Sequence, residues 1–460
     1  MPRPQAPLAA LSPLALLAAL AGSAAPALAQ TCQWDLSAPG PTSSSVMQLM
    51  VYNGLLHMCG NFSSPVNRIG TWTGSSWADV GGGLANQAND FVIWNDGGGP
   101  ALFVVGPFTT AGGGTVAAAR VAKWNGSTWS ALGAGVGSTP SSVEVWDDGT
   151  GPALYVGGSF TTPGLRLVKW TGTSWVQVGP GFGTGTVNAM TVFQNQLHIF
   201  GTFTTLGDNT PVARGAVRWD GTSFSNLTPS GLGPLSPSPA TSGCMVWNDG
   251  LTGESVFVWG SFDTAGSVTV NGLARWDGTA WHSVGGGATQ ASGAGAWIRS
   301  ATIFDDGTGP AMWIGSSAPT SSGFTHVGGI PAAGIAKWNG TAWSAPNSAA
   351  IDNNVFSLRQ FDDGTGNRVL WVGGQFVTIG GQPVNRIARW TCQPPPPPAC
   401  YANCDDSTTA PVLNVADFGC FLTRYAAGEP YANCDESTTA PVLNVADFGC
   451  FLTRYAAGCP

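Results

Sequence analysis

A Trp-x-Gly-x-x-aromatic box recurs along this chain as Trp72/Trp77, Trp124/Trp129, Trp170/Trp175, Trp219/Phe224, Trp276/Trp281 and Trp338/Trp343, and a seventh first tryptophan, Trp390, stands without a second. The first tryptophans lie 46 to 62 residues apart. A second motif keeps step with them seven times: "LLHMCGNF", "ALFVVGPF", "ALYVGGSF", "QLHIFGTF", "SVFVWGSF", "AMWIGSSA" and "VLWVGGQF". A chain that repeats one small unit at so even a period must bury each copy against its neighbours, because one copy alone leaves its apolar face in water.

Each copy reads as four strands. In the third, "SSVEVW", "ALYVGGSF", "LRLVKW" and "WVQVG" are strands, separated by the turns "DDGTGP", "TTPG" and "TGTS". Asp, Gly and Pro supply turn dihedrals, while β-branched and aromatic residues suit a pleated surface. With 66 Gly and 20 Trp the chain is too glycine-rich for long helices and too aromatic for disorder. Seven small sheets packed radially satisfy this pattern where one very wide open sheet does not. The expected fold is therefore mainly β, a seven-bladed β-propeller. In period and glycine pattern residues 31 to 393 resemble kelch-like and galactose-oxidase-like propellers, although the Tyr/His ligand set that galactose oxidase implies is not recognisable among six tyrosines and four histidines.

The unpaired Trp390 locates the closure. Laying Trp390-Thr-Cys392 against Cys32-Gln-Trp34 regenerates the box with cysteines at the turn, so the N-terminal strand should complete the last blade and a Cys32–Cys392 disulfide should replace the missing turn. Closing so long a loop is worth about 4 to 5 kcal/mol on chain-entropy grounds. Cys59 and Cys244 fall in well-separated copies and are expected as buried, unpaired thiols.

Residues 1–29 carry Arg3, an Ala/Leu run and the small-x-small end Ala27-Leu28-Ala29, the form of a cleaved export signal. The expected product is secreted or attached to a cell surface, with no membrane span after cleavage. Ten cysteines suit an oxidising compartment. A net charge of -8 excludes nucleic acid as a partner, since phosphates require a basic surface.

Chemistry is sparse in residues 30–393. His57 and His198 occupy equivalent repeat positions, no HExxH spacing occurs, and no serine sits in a G-x-S-x-G elbow. The "DDGTGP" and "DDGTGN" segments are read as turns rather than cation loops. Lys123, Lys169, Arg218, Arg275, Lys337 and Arg389 each precede a first tryptophan, forming either a solvated rim or a basic face for an anionic polysaccharide. The longest loops cluster in the fifth and sixth copies, which marks His282, Arg299 and His326 as a candidate ligand-binding face, with Glu144 and Arg359 as polar residues of the inner strands.

After the linker 394–399, residues 400–460 hold "YANCDDSTTAPVLNVADFGCFLTRYAAG" twice, differing only in Asp406 and Glu436. Alternating oxygen side chains followed by Leu-Asn-x-x-Asp-Phe suit a hard cation. Phe418, Leu422 and Tyr425 are expected on one helical stripe. The pair resembles a type I dockerin doublet, an EF-hand relative. That resemblance implies calcium, bound by Asn403, Asp405, Ser407, Asn414 and Asp417 in the first copy and Asn433, Asp435, Ser437, Asn444 and Asp447 in the second. It also implies a cohesin-like or cell-surface partner. Two departures stand out: the insertion "TTAP" lengthens each loop and removes its glycine, and Asn replaces Asp at the first ligand position. The six tail cysteines allow many pairings, of which the symmetric one is Cys404–Cys420, Cys434–Cys450 and a Cys400–Cys459 clasp.

Two functional expectations follow. One is a secreted, non-catalytic binding or scaffold protein with a calcium-dependent docking module, its propeller taking a polysaccharide or protein ligand. The other is an extracellular carbohydrate-active enzyme with a catalytic propeller tethered through its tail. Paired carboxylates converging in the propeller would favour the second.

Overall fold

The computed structural model describes residues 31–233, 240–250, 253–319, 321–346, 349–362, 368–393, 401–405, 413–435, 437 and 442–457. The expected export signal, the linker 394–399, Ser407, and the Cys400–Cys459 clasp lie outside these residues. Two compact units are present, Cys32–Cys392 and a second that holds the chain from Gln393 onward.

The larger unit is mainly β. Among the described residues it contains seven four-stranded antiparallel sheets. In six of them the strands follow one another along the chain, as in Pro140–Asp147, Pro152–Gly158, Leu167–Trp170 and Trp175–Gln177. The seventh combines Val355–Gln360, Arg368–Gly374 and Ile387–Gln393 with the N-terminal strand Thr31–Asp35. Cys32 and Cys392 are joined by a disulfide, and Trp34 meets Trp390 edge-on at 5.2 Å. Among the described residues no sheet closes on itself.

The first strands of the seven sheets are Val46–Tyr52, Asp90–Asn95, Pro140–Asp147, Val187–Phe193, Ala240–Asn248, Ile298–Asp305 and Val355–Gln360. Each packs beside the next from the second sheet to the seventh, and the seventh also packs beside the first. Gln48 Nε2 donates to Asp90 Oδ1 at 3.4 Å between the first and second. Second strands, such as Pro152–Gly158, are buried along nearly their whole length because sheets cover both of their faces.

The boxes pair across the hairpin of the third and fourth strands, Trp124 opposite Trp129 and Trp276 opposite Trp281. The second tryptophan then reaches the preceding repeat: Trp77 Nε1 donates to Pro39 O at 2.7 Å, Trp129 Nε1 to Val80 O at 2.9 Å, Trp175 Nε1 to Leu132 O at 2.9 Å and Trp343 Nε1 to Val284 O at 3.1 Å. The box is thus a hairpin and an inter-sheet tie in one motif.

The acidic turns are structural. Asp147 Oδ1 accepts from Gly149 N at 2.8 Å and Gly151 N at 2.9 Å, and Asp305 repeats this with Gly307 and Gly309. The next aspartate faces the basic row: Lys123–Asp96 at 2.6 Å, Lys169–Asp148 at 2.5 Å, Arg275–Asp249 at 3.4 Å and Lys337–Asp306 at 2.5 Å. Arg389 pairs with Asp35 at 2.5 Å, and Arg218 donates to Ser225 Oγ at 3.0 Å. Five of the six cations in this row thus face an aspartate.

One repeated position escaped the sequence. The residue just before the third strand is left-handed in every sheet: Arg68 (φ 66°), Arg120 (72°), Arg166 (64°), Gly215 (62°), Gly272 (84°), Gly334 (95°) and Arg386 (61°). Glycine adopts this conformation freely, whereas a side chain there costs about 1–2 kcal/mol. Three of the arginines offset that cost by bonding backbone carbonyls of the incoming loop, while Arg68 donates to the Asn61 side chain. Arg120 Nη1 donates to Val136 O at 3.0 Å, Arg166 Nη1 to Phe182 O at 2.7 Å and Arg386 Nη1 to Thr42 O at 2.8 Å.

The second unit contains helices α1 (Val415–Ala426) and α2 (Val445–Ala457). Disulfides Cys404–Cys420 and Cys434–Cys450 tie each loop to its helix. Phe421 stacks on Phe451 at 4.1 Å and Tyr401 on Tyr431 at 4.9 Å, each tyrosine hydroxyl donating to the other's carbonyl. The expected stripe is corrected by one residue. Phe418 and Tyr425 do pack inward, but Phe421 is fully buried while Leu422 is 41% exposed.

Candidate functional site

The starting halves of the seven first strands enclose a cavity of about 370 Å³ in the larger unit. Its walls carry Gln48, Asp90, Glu144, Asn188, Ser242, Cys244, Arg299, Ser357 and Arg359 among small and apolar residues. Of the expected ligand-binding residues, Glu144, Arg299 and Arg359 meet here. His282 and His326 do not line this cavity. His282 sits on an outermost strand, bonded to Asp277 at 2.6 Å, and His326 lies in a small loop sheet beside Thr325.

Strand alternation explains the convergence. A first strand presents every second residue to the cavity and buries the others between sheets. Cross-sheet bonds then fix the strands laterally: Leu49 N donates to Ser357 Oγ at 2.9 Å, Ser300 Oγ to Val355 O at 2.9 Å, and Trp297 Nε1 to Ser242 Oγ at 2.8 Å.

The four charged groups differ in how they are held. Asp90 Oδ1 accepts from Phe91 N at 2.9 Å and from Gln48, while Oδ2 accepts from Val143 N at 2.9 Å, so this carboxylate joins three sheets. Glu144 is bonded through Oε1 alone, to Val145 N at 2.9 Å. Arg359 uses Nε, on Leu49 O at 3.2 Å, and Arg299 uses Nε, on Ser317 Oγ at 3.4 Å. The Arg299 guanidinium lies 3.3 Å from the centre of the Trp297 ring, a stacked cation–π contact. Among the described residues no ion pair joins either arginine to either acid.

Burial dominates the titration of the site. It pushes the Asp90 carboxyl up to about 6 against the pull of its amide donors. It pushes Glu144 up to about 7, with Asp90 adding to the shift. It also lowers Arg299 to about 10 and lowers Arg359. Asp90 and Gln48 were not singled out from the sequence; the available signal was a polar residue at the start of an otherwise apolar first strand. Cys244 is a further correction, half-buried on the cavity wall rather than wholly buried, whereas Cys59 is buried as expected. His57 and His198 are buried at equivalent positions, each with Nδ1 on a carbonyl two residues back, and burial lowers the pKa of both imidazoles.

The tail residues implied as calcium ligands also serve as backbone acceptors. Asn414 Oδ1 accepts from Ala416 N at 2.8 Å and Asp417 Oδ2 from Asn414 N at 2.8 Å, a capping box that starts α1. Asn444 and Asp447 repeat it at α2. Asp417 Oδ1 and Asp447 Oδ1 further accept from Asp405 N and Asp435 N at 3.3 Å. In the second loop, Asn433 Oδ1 and Asp435 Oδ1 both accept from Ser437 N at 3.0 Å. The Asp435 carboxylate is held below the usual range by the Ser437 bonds, and its side chain lies close to that of Asp447. Two facing carboxylates on an all-oxygen loop fit a hard cation. Among the described residues, no group of three or more His, Cys, Asp or Glu is placed to hold a metal.

No family model matches the chain. No curated protein matches it in sequence. Among solved structures it is similar to the extracellular domain of the hybrid two-component system BT4673 from B. thetaiotaomicron, at 12% identity and a TM-score of 0.45 over 78% of this chain and 40% of that one, so it spans two fifths of that domain's length. It is also similar to the computationally designed Ika8 protein, at 12% identity and a TM-score of 0.42 over 78% of this chain and all of that one. BBS1N, from a complex with ARL6DN, matches at 12% identity and a TM-score of 0.43 over 80% and 97% of the two chains.

Proposed function

We propose that Cys32–Cys392 is a seven-bladed β-propeller that binds a small polar ligand in its central cavity without transforming it, on a secreted protein whose tail docks to another protein. The observation that carries this is the contrast between the acids and the arginines. Asp90 is spent on three sheets, while the outer nitrogens of Arg299 and Arg359 have no protein partner among the described residues. Donors held ready with no internal acceptor are what a binding site needs.

The raised pair Asp90 and Glu144 favours a second reading, a carbohydrate-active enzyme using two carboxylates. It is the weaker one, because a carboxylate with backbone donors on both oxygens is poorly placed to transfer protons. Tryptophan emission from Trp259 and Trp297 tests binding: saturable change with small polar solutes, abolished in Arg359→Met, is expected, and no response to any solute would remove the proposal. Release of reducing sugar that disappears in Glu144→Gln would establish the enzyme instead.

For the tail, calcium held between Asp435 and Asp447, and at the matching Asp405 and Asp417, would neutralise each facing acid pair and order the loops for a cohesin-like or cell-surface partner. Addition of Ca²⁺ should raise the melting temperature of the tail and EGTA should lower it; an unchanged transition removes the metal. Three disulfides support secretion, and among the described residues no helix is long and apolar enough to cross a membrane.

A further inference from the structure

The cavity is electrically polarised. Its acids come from the adjacent first strands of the second and third sheets, its arginines from those of the sixth and seventh. On one side the two pairs are separated by the first sheet, which offers Gln48, and on the other by the fourth and fifth, which offer Asn188 and Ser242. Between the charged walls the lining is therefore uncharged.

This arrangement discriminates by charge pattern. With both carboxyls ionised, as above pH 7, the four groups sum to zero, so a ligand with a single charge would satisfy one wall and leave the other desolvated opposite it. A ligand carrying both signs satisfies both walls. At least one acceptor remains on the acidic wall, because Glu144 has only Oε1 engaged. Donors remain on the basic wall, because each arginine is engaged only through Nε. The stacking of Arg299 on Trp297 fixes one guanidinium plane, and a planar fork of this kind suits a carboxylate.

Building on the binding function proposed above, we infer that the cavity selects a small zwitterion of the amino-acid and short-peptide class, its ammonium on Glu144 and its carboxylate on Arg299 and Arg359. A cavity of about 370 Å³ has room for such a molecule together with bridging water. Burial has lowered both guanidiniums and raised both carboxyls, outweighing the amide bonds to Asp90 and the attraction between Asp90 and Arg359.

Isothermal titration of the full chain at pH 8 tests this, with β-alanine and 6-aminohexanoate as probes, whose amines stay charged at that pH, and N-acetylglycine, ethyl 6-aminohexanoate and cellobiose as controls. The zwitterions should bind saturably, and removing either charge from the probe should weaken binding at least tenfold. Glu144→Gln should bring the zwitterions close to the weak affinity of N-acetylglycine, and Arg359→Met close to that of the ester. The ligand series needs only the wild-type protein, so a variant that fails to fold does not decide the outcome. Single-charge analogues binding as tightly as the zwitterions would overturn the zwitterion and leave a binding cavity standing. Cellobiose binding that Arg359→Met abolishes, with no heat from the zwitterions, would do the same. No heat from any probe, with unchanged tryptophan emission, would overturn both.

Discussion

Both units of this protein are built by repetition, and they use it in opposite ways. In the tail two copies differ at one residue, and the packing is correspondingly reciprocal: Tyr401 on Tyr431, Phe421 on Phe451, and Arg424 over Tyr431 where Arg454 lies over Tyr401. In the larger unit seven copies keep their tryptophan boxes and turns, while their first strands have diverged into Gln48, Asp90, Glu144, Asn188, Arg299 and Arg359. Near-identity leaves two equivalent surfaces; divergence at three register positions of the first strands makes a single asymmetric cavity from a symmetric frame.

The largest expected effect separates the two units by their staples. Cys32→Ser with Cys392→Ser should destabilise the larger unit by about 4–5 kcal/mol, because that bond closes nearly the whole unit, and opening either 16-residue tail loop should cost the tail about 3 kcal/mol. Denaturant melts of each double mutant measure both, and equal losses would show that loop length is not what sets them. Next, Phe451→Ala should cost the tail about 3–5 kcal/mol while leaving the melting of the larger unit unchanged. A transition that shifted in both units would mean that they unfold together.

A smaller effect probes the left-handed arginines. Arg166→Gly relieves backbone strain that Arg166→Ala retains, so the glycine variant should be the more stable by about 1 kcal/mol although both lose the bonds to Phe182 and Gly185. Equal stabilities would show the φ value to be inconsequential.

The smallest effect concerns pH. Glu144 titrates near 7 and Asp90 near 6 when folded, against 4.5 and 3.8 for unperturbed groups. The folded chain therefore holds protons that the unfolded chain has released, and stability contributed below pH 4 is lost as pH rises towards 7. The charge of Asp90 opposes the ionisation of Glu144, and both acids in turn push the Cys244 thiol up. Melting temperature should fall less steeply from pH 5 to 8 in Glu144→Gln than in the wild type, and identical slopes would mean that the carboxyl is not buried in this way.

The frame was legible because its signals are periodic. Trp72 to Trp390 mark third strands, "DDGTGP" marks a hairpin, and the paired cysteines Cys32 and Cys392 announced a sheet shared by the two ends of the chain. The cavity was only half legible. Glu144, Arg299 and Arg359 are charges within strands and invite notice. Asp90 stands at a strand's first residue, where it reads as part of a turn, and His282 and His326 drew attention by lying beside the longest loops although neither lines the cavity. Arg68, Arg120, Arg166 and Arg386 were missed because a left-handed φ is normally signalled by glycine, and here three glycines and four arginines share one position.

The seventh sheet also sets the order of events during synthesis. Its outer strand is made first and the strand beside it about 350 residues later, an interval on the order of tens of seconds at about 5–20 residues per second. Throughout that time Thr31–Asp35 has no lasting partner, and six sheets can form while the seventh waits.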